Sequence, residues 1–215
     1  MKLTVHTFVT LDGVMQGPGG PDEDRSGGFD HGGWLMPFAD EDFNAIVSGW
    51  FSQTEAFLLG RTTYDLFSSF WPNVTDPSDE VATKLNSLPK YVVSTTLTDP
   101  AWGNTSVISG DLVGQVEALK ARTGGELQVH GSCGLIQTLQ SAGLVDEYRL
   151  LVAPVLVGSG KHLFAEGVRP SSFELVSSER TGSGCQYLVL RPSGDLRTAE
   201  AAIDEAGRET VRANG

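Results

Sequence analysis

The 215-residue chain carries 15 Lys and Arg against 27 Asp and Glu, a net charge of −12, with 40% apolar and 20% charged residues. That composition supports a packed core and argues against collagen, coiled coil and wholesale disorder, and the negative field disfavours nucleic acid and anionic membrane as partners. The longest apolar runs, such as Leu150 to Val157, are too short to cross a bilayer and this one is interrupted by Pro154. Met1 to Thr10 alternates polar with apolar residues unlike the hydrophobic segment of a secretory signal, and Cys133 and Cys185 are too few for a disulfide framework, so the expectation is a cytoplasmic protein with reduced thiols, a single bridge between the two remaining open.

A first strand is expected over about residues 3 to 11, with Leu3, Val5, Thr7, Val9 and Leu11 on one face. From Gly13 to Gly33 the chain has eight glycines and two prolines with Asp22, Glu23, Asp24 and Asp30, a composition that forms no packed element and suits a functional lid. After Pro37, residues Phe43, Ile46, Val47, Trp50 and Phe51 recur at helical spacing behind an acidic start, giving an amphipathic helix of about four turns. Ala56 to Leu59 reads as a short buried strand, Thr62 to Ser69 as a helix, the stretch between Pro77 and Pro89 as another, and Tyr91 to Ser94 as a strand.

Asp111 should cap a helix that ends at Gly124-Gly125, and Leu127 to Val129 the next strand; Ser132 is placed to cap a further helix, with Gly143 as its stop. Beyond Asp146 the pattern turns to strands at Tyr148–Val157, Phe173–Glu179 and Cys185–Leu190, the last two joined by Gly182-Ser-Gly184. The expected fold is therefore one α/β domain over residues 1–191, a mixed and mostly parallel sheet with helices on both faces and a C-terminal antiparallel hairpin. Residues 192–215 are expected to be a partly helical or disordered tail.

Common cofactor motifs are missing. No Gly-x-Gly-x-x-Gly follows a strand, His162 stands where a Walker sequence needs Ser or Thr after Gly160-Lys161, and the histidines lack metal-site spacing, so no metal is expected. Three strand-to-loop junctions nevertheless carry groups suited to anions: Gly60-Arg61-Thr62-Thr63, Ser94-Thr95-Thr96 and Gly131-Ser132-Cys133-Gly134. In a parallel sheet these strand ends share one rim, where helix N-termini present free N–H groups to phosphate. Each junction alone is explained as well by helix capping; together they describe a dinucleotide cleft. Arg61 is the most informative member, because the helix dipole opposes a cation at that end.

Thr10-Leu-Asp-Gly-Val14, Gly60-Arg-Thr-Thr-Tyr64, Val129-His-Gly-Ser132 and the long segment from Val145 to Phe164 resemble the dihydrofolate-reductase-like superfamily, and most closely its stand-alone relatives of the riboflavin-biosynthesis reductase domain. The likeness covers about residues 1–191. It implies a three-layer fold, NADPH bound across the sheet rim, and hydride delivery to a C=N or C=O of a small pterin- or pyrimidine-like heterocycle. By position it implies cofactor contacts at Gly60, Arg61, Thr62 and Thr63, at Ser94 and Thr95, and at Gly131, Ser132, Cys133, Gly134 and Leu135. His130-Gly131 stands where folate reductases carry two glycines, which puts the backbone geometry of that pair in question.

The resemblance further implies that the loop after Asp12 is a mobile lid over nicotinamide. Asp12 and Asp40 become the candidate catalytic carboxylates, each with a plain alternative: Asp12 as a turn residue, Asp40 as a helix N-cap. Trp34, beside the loop, is the candidate substrate-facing ring. A homodimer is expected by analogy. The competing expectations are a non-catalytic nucleotide-binding protein that keeps the scaffold, and a flavin-binding protein.

Overall fold

A computed structural model describes residues 1–213. In chain order the elements are β1 (Lys2–Thr10), α1 (Glu41–Trp50), β2 (Thr54–Gly60), α2 (Arg61–Phe70), α3 (Glu80–Ser87), β3 (Lys90–Val93), β4 (Thr105–Ile108), α4 (Leu112–Lys120), β5 (Glu126–His130), α5 (Cys133–Ser141), β6 (Glu147–Ala153), β7 (Ser171–Arg180), β8 (Gln186–Asp195), β9 (Ala199–Ile203) and β10 (Glu209–Ala213). The first eight strands form one sheet in the order β4-β3-β2-β5-β1-β6-β8-β7. Strands β1 to β6 run parallel, and β8 and β7 close the edge antiparallel. The expected α/β architecture is thus the one observed.

Side-chain alternation explains the layering. Leu3, Val5, Leu127 and Val129 point to one face, where Val116 and Leu119 of α4 and Leu135, Ile136 and Leu139 of α5 pack on them. Phe57, Leu59, Val92 and Leu151 belong to a second cluster with Phe43 and Trp50 of α1, Tyr64 of α2 and Leu85 of α3. Strand β1 lies between β5 and β6 with a core cluster on each face of the sheet, and its polar side chains Thr4 and His6 are buried rather than solvated. Leu11, expected on the first strand's inner face, lies beyond the strand and is exposed.

Three elements differ from the sequence pattern. Strand β4, Thr-Ser-Val-Ile, is short and lies at the sheet edge beside β3, where pairing through the backbone sets it apart from a loop more than its side chains do. The expected strand through Val157 ends at Ala153, because Pro154 lacks the N–H that would continue the ladder. Among its described residues the tail has no helix: β8 continues through Pro192 to Asp195, and β9 pairs with β10 as a separate antiparallel hairpin. Glu209-Thr-Val-Arg-Ala213 alternates over its last four residues, Thr, Val, Arg and Ala, which suits that pairing better than a helical face. Both cysteines are free thiols, and among the described residues no helix is long and apolar enough to cross a membrane.

Candidate active site

A cleft of about 510 Å³ opens at the carboxyl ends of β2 and β5 and runs along β1. Gly60 to Thr63 and Gly131 to Leu135 form one part of its wall; Phe8, Met15, Leu66 and Phe67 contribute apolar surface, and Thr7, Gln16, Glu23, Asp24 and Lys161 also line it. Ser94 and Thr95 line a groove of about 460 Å³ at the ends of β3 and β4, together with Asp111. Arg61 links the two regions, since its Nη1 donates to Thr96 Oγ1 at 3.2 Å. The three junctions therefore converge on one rim.

The turn after β5 is built by two left-handed residues, Gly131 at φ +62° and Ser132 at φ +66°. At His130-Gly131 only the second residue is left-handed, and the left-handed conformation continues into Ser132, where it costs a strained backbone of about 1–2 kcal/mol. The Ser132 side chain compensates: its Oγ accepts from the Gly60 amide at 2.8 Å and donates to Thr63 Oγ1 at 2.6 Å. Ser132 therefore stands at the N-cap of α5 without capping it. Helix α2 likewise begins at Gly60 with no side-chain cap, whereas α1, α3 and α4 are capped by Asp40, Asp79 and Asp111. The two helices opening onto the cleft are the two whose first amides have no carboxylate. At the same end, Arg61 Nε donates to both carboxylate oxygens of Asp65, at 2.9 and 2.8 Å, which offsets the cation's conflict with the helix dipole.

The two expected catalytic aspartates lie outside the cleft wall. Asp12 accepts from the Thr10 hydroxyl at 2.5 Å and from the Gly158 amide at 2.7 Å, and the Thr10 hydrogen bond lowers its pKa. It fastens the end of β1 to the segment after β6. Asp40 caps α1, accepting from the Phe43 amide at 2.8 Å, and its other oxygen accepts from the Ser183 amide at 2.5 Å; these bonds, Phe43's first, hold its pKa down. It joins α1 to the β7–β8 turn. Trp34 also turns away from the expected role: it is buried in the second core cluster and its Nε1 donates to the Gln16 carbonyl at 2.8 Å. Phe8 and Phe67 are the aromatic rings that line the cleft in its place. Ser94 Oγ is occupied by the amides of Thr96 and Leu97, so it shapes its own turn.

The loop after β1 is pinned at several points. Met15 N donates to Lys161 O at 2.9 Å, Lys161 N to Gln16 Oε1 at 3.0 Å, and Lys161 Nζ to Asp24 at 2.6 Å. Cys133 Sγ donates to His162 O at 3.1 Å, attaching the same segment to α5. Of the cleft carboxyls, Glu23 has its pKa raised by burial, although the Gly19 and Gly20 amides favour its anion.

Sequence reasoning also passed over a buried polar network behind the cleft. His6 and His130 are register partners on β1 and β5, and their rings stack with centroids 5.1 Å apart. Both line the cleft. Burial lowers the His6 pKa to about 4 and that of His130 well below its usual value. The signal was present in the alternation of Thr4-His6 and Glu126-Gln128-His130, polar residues at every second position of strands too central to be exposed.

A mostly parallel sheet with this strand order, and a cleft between two helix N-termini at its rim, define a dihydrofolate-reductase-like α/β protein. The sequence profile of the RibD C-terminal domain matches residues 1–187, and the chain belongs to that family. YyaP of Bacillus subtilis (strain 168) is 29% identical over 196 residues, covering 90% of this chain and 96% of YyaP. A putative riboflavin biosynthesis protein from Shewanella sp. PV-4 superposes with a TM-score of 0.66 at 25% identity, over 90% of this chain and 99% of that one. Dihydrofolate reductase from Enterococcus faecalis, solved with NADP(H), shares the fold at a TM-score of 0.57 and 12% identity, covering 89% of this chain and 96% of its own.

Proposed function

We propose that the protein is an NADPH-dependent reductase that adds hydride to a C=N or C=O of a small heterocycle. The observation that carries this reading is the pairing of two uncapped helix starts, α2 and α5, at one end of a cleft whose wall also includes Phe8, Met15, Leu66 and Phe67. The donor set fits a diphosphate: free first-turn amides, the Thr62 hydroxyl and the Arg61 guanidinium surround a glycine-bearing turn. When bound, NADPH supplies the hydride.

The chain's own residues do the rest. The amides of α2 and α5 would hold the diphosphate, with Arg61 and Thr95 towards the adenosine end, and the apolar wall would hold a flat substrate against the bound cofactor, which would supply the hydride. Met15 to Pro18 exclude water above it. With Asp12 and Asp40 engaged elsewhere, the proton comes from water or from Glu23.

A second reading, a nucleotide-binding protein without turnover, is favoured by that same displacement of both aspartates from the cleft. Quenching of tryptophan fluorescence by micromolar NADPH, with NADPH oxidation on one member of a pterin and pyrimidine panel, supports the reductase. Quenching without oxidation supports the second reading, and no binding up to millimolar NADPH removes both.

A further inference from the structure

The stretch from Gly13 to Gly33 has the glycine-rich composition of a mobile lid, yet it is built as a folded unit. Val14, Phe29, Trp34 and Leu35 are buried together in the second core cluster. The two limbs of the loop meet backbone to backbone: a Cβ on Gly32 would collide with the Gly20 carbonyl oxygen and with Pro21 Cα, and the Gly33 amide donates to Gly17 O at 2.8 Å. Gly160, in the segment after β6, packs as closely, since a Cβ there would stand 2.8 Å from Val14 Cγ1 and 3.1 Å from Phe29 Cε2. Gly32 and Gly160 thus serve close approach, not motion.

At the centre of this unit lies Gln16, a buried residue of the cleft wall. Its Nε2 donates to the carbonyls of Asp24 and Ser26 at 3.1 and 2.9 Å, and its Oε1 accepts from the Lys161 amide at 3.0 Å. Its own carbonyl accepts from Trp34 Nε1 at 2.8 Å. Two carbonyls on one side and an N–H on the other leave the carboxamide a single orientation, and they need a group that donates twice and accepts at the same time. One side chain therefore joins residues 15–18, residues 24–26 and the segment after β6, beside the Val14–His162 bridge. The ion pair from Lys161 Nζ to Asp24 is partly exposed, so it adds little to this hold.

We infer that Gln16 is a positioning residue of the cleft: it keeps the loop after β1 folded as a wall before any ligand enters, so that Met15 to Pro18 stand at a fixed depth over the bound molecule. The inference rests on the proposed reductase reading for what the wall is set against; the folding of the loop without ligand does not. A wall already in place spares binding the cost of ordering it. It also fixes the spacing between cofactor and substrate, on which transfer between them depends steeply.

Hydrogen exchange followed by NMR on the ligand-free protein reads the wall directly. The amides of Met15 and Gly33, bonded to Lys161 O and Gly17 O, should be protected at least about a hundredfold over an unfolded chain before NADPH is added. Gln16→Glu, which exchanges the donor for an acceptor at equal size, should speed their exchange at least about tenfold, as expected when buried partners go unmet, while β5 amides keep their rates. Gln16→Leu, which brings no charge into the site, should do the same and is read where Gln16→Glu disturbs β5. Lys161→Met, which removes the ion pair and keeps the Lys161 amide, should change them by less than about fivefold. With a substrate from the pterin and pyrimidine panel, loss of Gln16 should lower kcat about tenfold to hundredfold and leave the NADPH Kd at its wild-type value, because the clasp at α2 and α5 is untouched. Loop amides that become protected only on NADPH addition overturn the prefolded wall. Unchanged exchange in both Gln16 variants, equal acceleration in the loop and β5 in both, or a loss of NADPH affinity as large as the loss of kcat overturns the role of Gln16. Failure of the reductase reading is separate: it leaves NADPH unbound, while exchange in the ligand-free protein still decides whether the wall is prefolded.

Discussion

The Gly60 amide donates to the Ser132 hydroxyl, 2.8 Å away across 72 residues of sequence, and so the starts of α2 and α5 are held at one spacing. The contact is close: a Cβ on Gly60 would stand 3.0 Å from both Ser132 Cβ and Oγ. Gly60→Ala therefore forces the two helix starts apart. The expected result is a loss of about 1–3 kcal/mol in urea unfolding, the usual range for overpacking, together with weaker NADPH binding. Unchanged binding would show that the spacing is not part of the cofactor site.

Ser132 itself separates strain from clasp. Ser132→Ala keeps the left-handed backbone and removes the hydroxyl, leaving the Gly60 amide short of its acceptor at a cost of about 1–3 kcal/mol. Ser132→Gly removes the hydroxyl and the strain together, so it should be more stable than the alanine variant by about 1 kcal/mol. Equal denaturation midpoints for the two variants would contradict the backbone assignment.

Arg61 and Asp65 form an exposed pair on the first turns of α2. Such a pair contributes about 0–1 kcal/mol to folding, so Arg61→Ala should leave the melting temperature nearly unchanged. Its effect should appear in binding: about a tenfold to hundredfold weaker NADPH complex, from the loss of a charged hydrogen bond worth about 1.5–3 kcal/mol. Fluorescence titration at low and high salt checks this, because the wild-type affinity should fall with salt more steeply than the variant's.

Asp40 is a stability residue by its contacts. Asp40→Ala removes the α1 cap and the tie to Ser183, and should lower the urea unfolding midpoint while NADPH affinity stays at the wild-type value. A selective loss of cofactor binding with unchanged stability would return Asp40 to the site.

Acid should destabilise the fold through its buried imidazoles. The His6 pKa is about 4 in the folded chain against an ordinary 6.5, so between these values the unfolded chain takes up a proton that the folded one refuses. Stability from this source is complete above pH 6.5 and is lost as pH falls toward 4. Glu126 follows lower down. Burial alone would raise its pKa, but the neighbouring His6 ring, the hydrogen bond from Gln128 and the Arg149 charge bring it to about 2 from 4.5, so its contribution fades below pH 4.5. Urea midpoints measured across this range should fall less for His6→Phe than for the wild type between pH 6.5 and 5.

The order of elements could be read from the chain because apolar periodicity and glycine stops follow from local geometry. The turn residues Gly60 and Gly131 were legible for the same reason. The individual roles of Asp12, Asp40 and Trp34 were not, since each sits in a sequence position that suits a site and makes its contacts elsewhere: Asp12 with Gly158, Asp40 with Ser183, Trp34 with Gln16. Those partners are 146, 143 and 18 residues away, and nothing local announces them. The histidine pair was hidden differently. His6 and His130 become neighbours only through the register of β1 against β5.

The bond from Lys161 to Asp24 crosses 137 residues and ties the loop after β1 to the segment after β6 at the cleft wall. On the proposed reductase reading, opening the cleft on this side breaks an ion pair which dissolved salt weakens, whereas cofactor capture by Arg61 would rely on attraction that the same salt shields. Rising ionic strength should accordingly hasten release and slow capture, so that turnover peaks at an intermediate concentration instead of declining steadily.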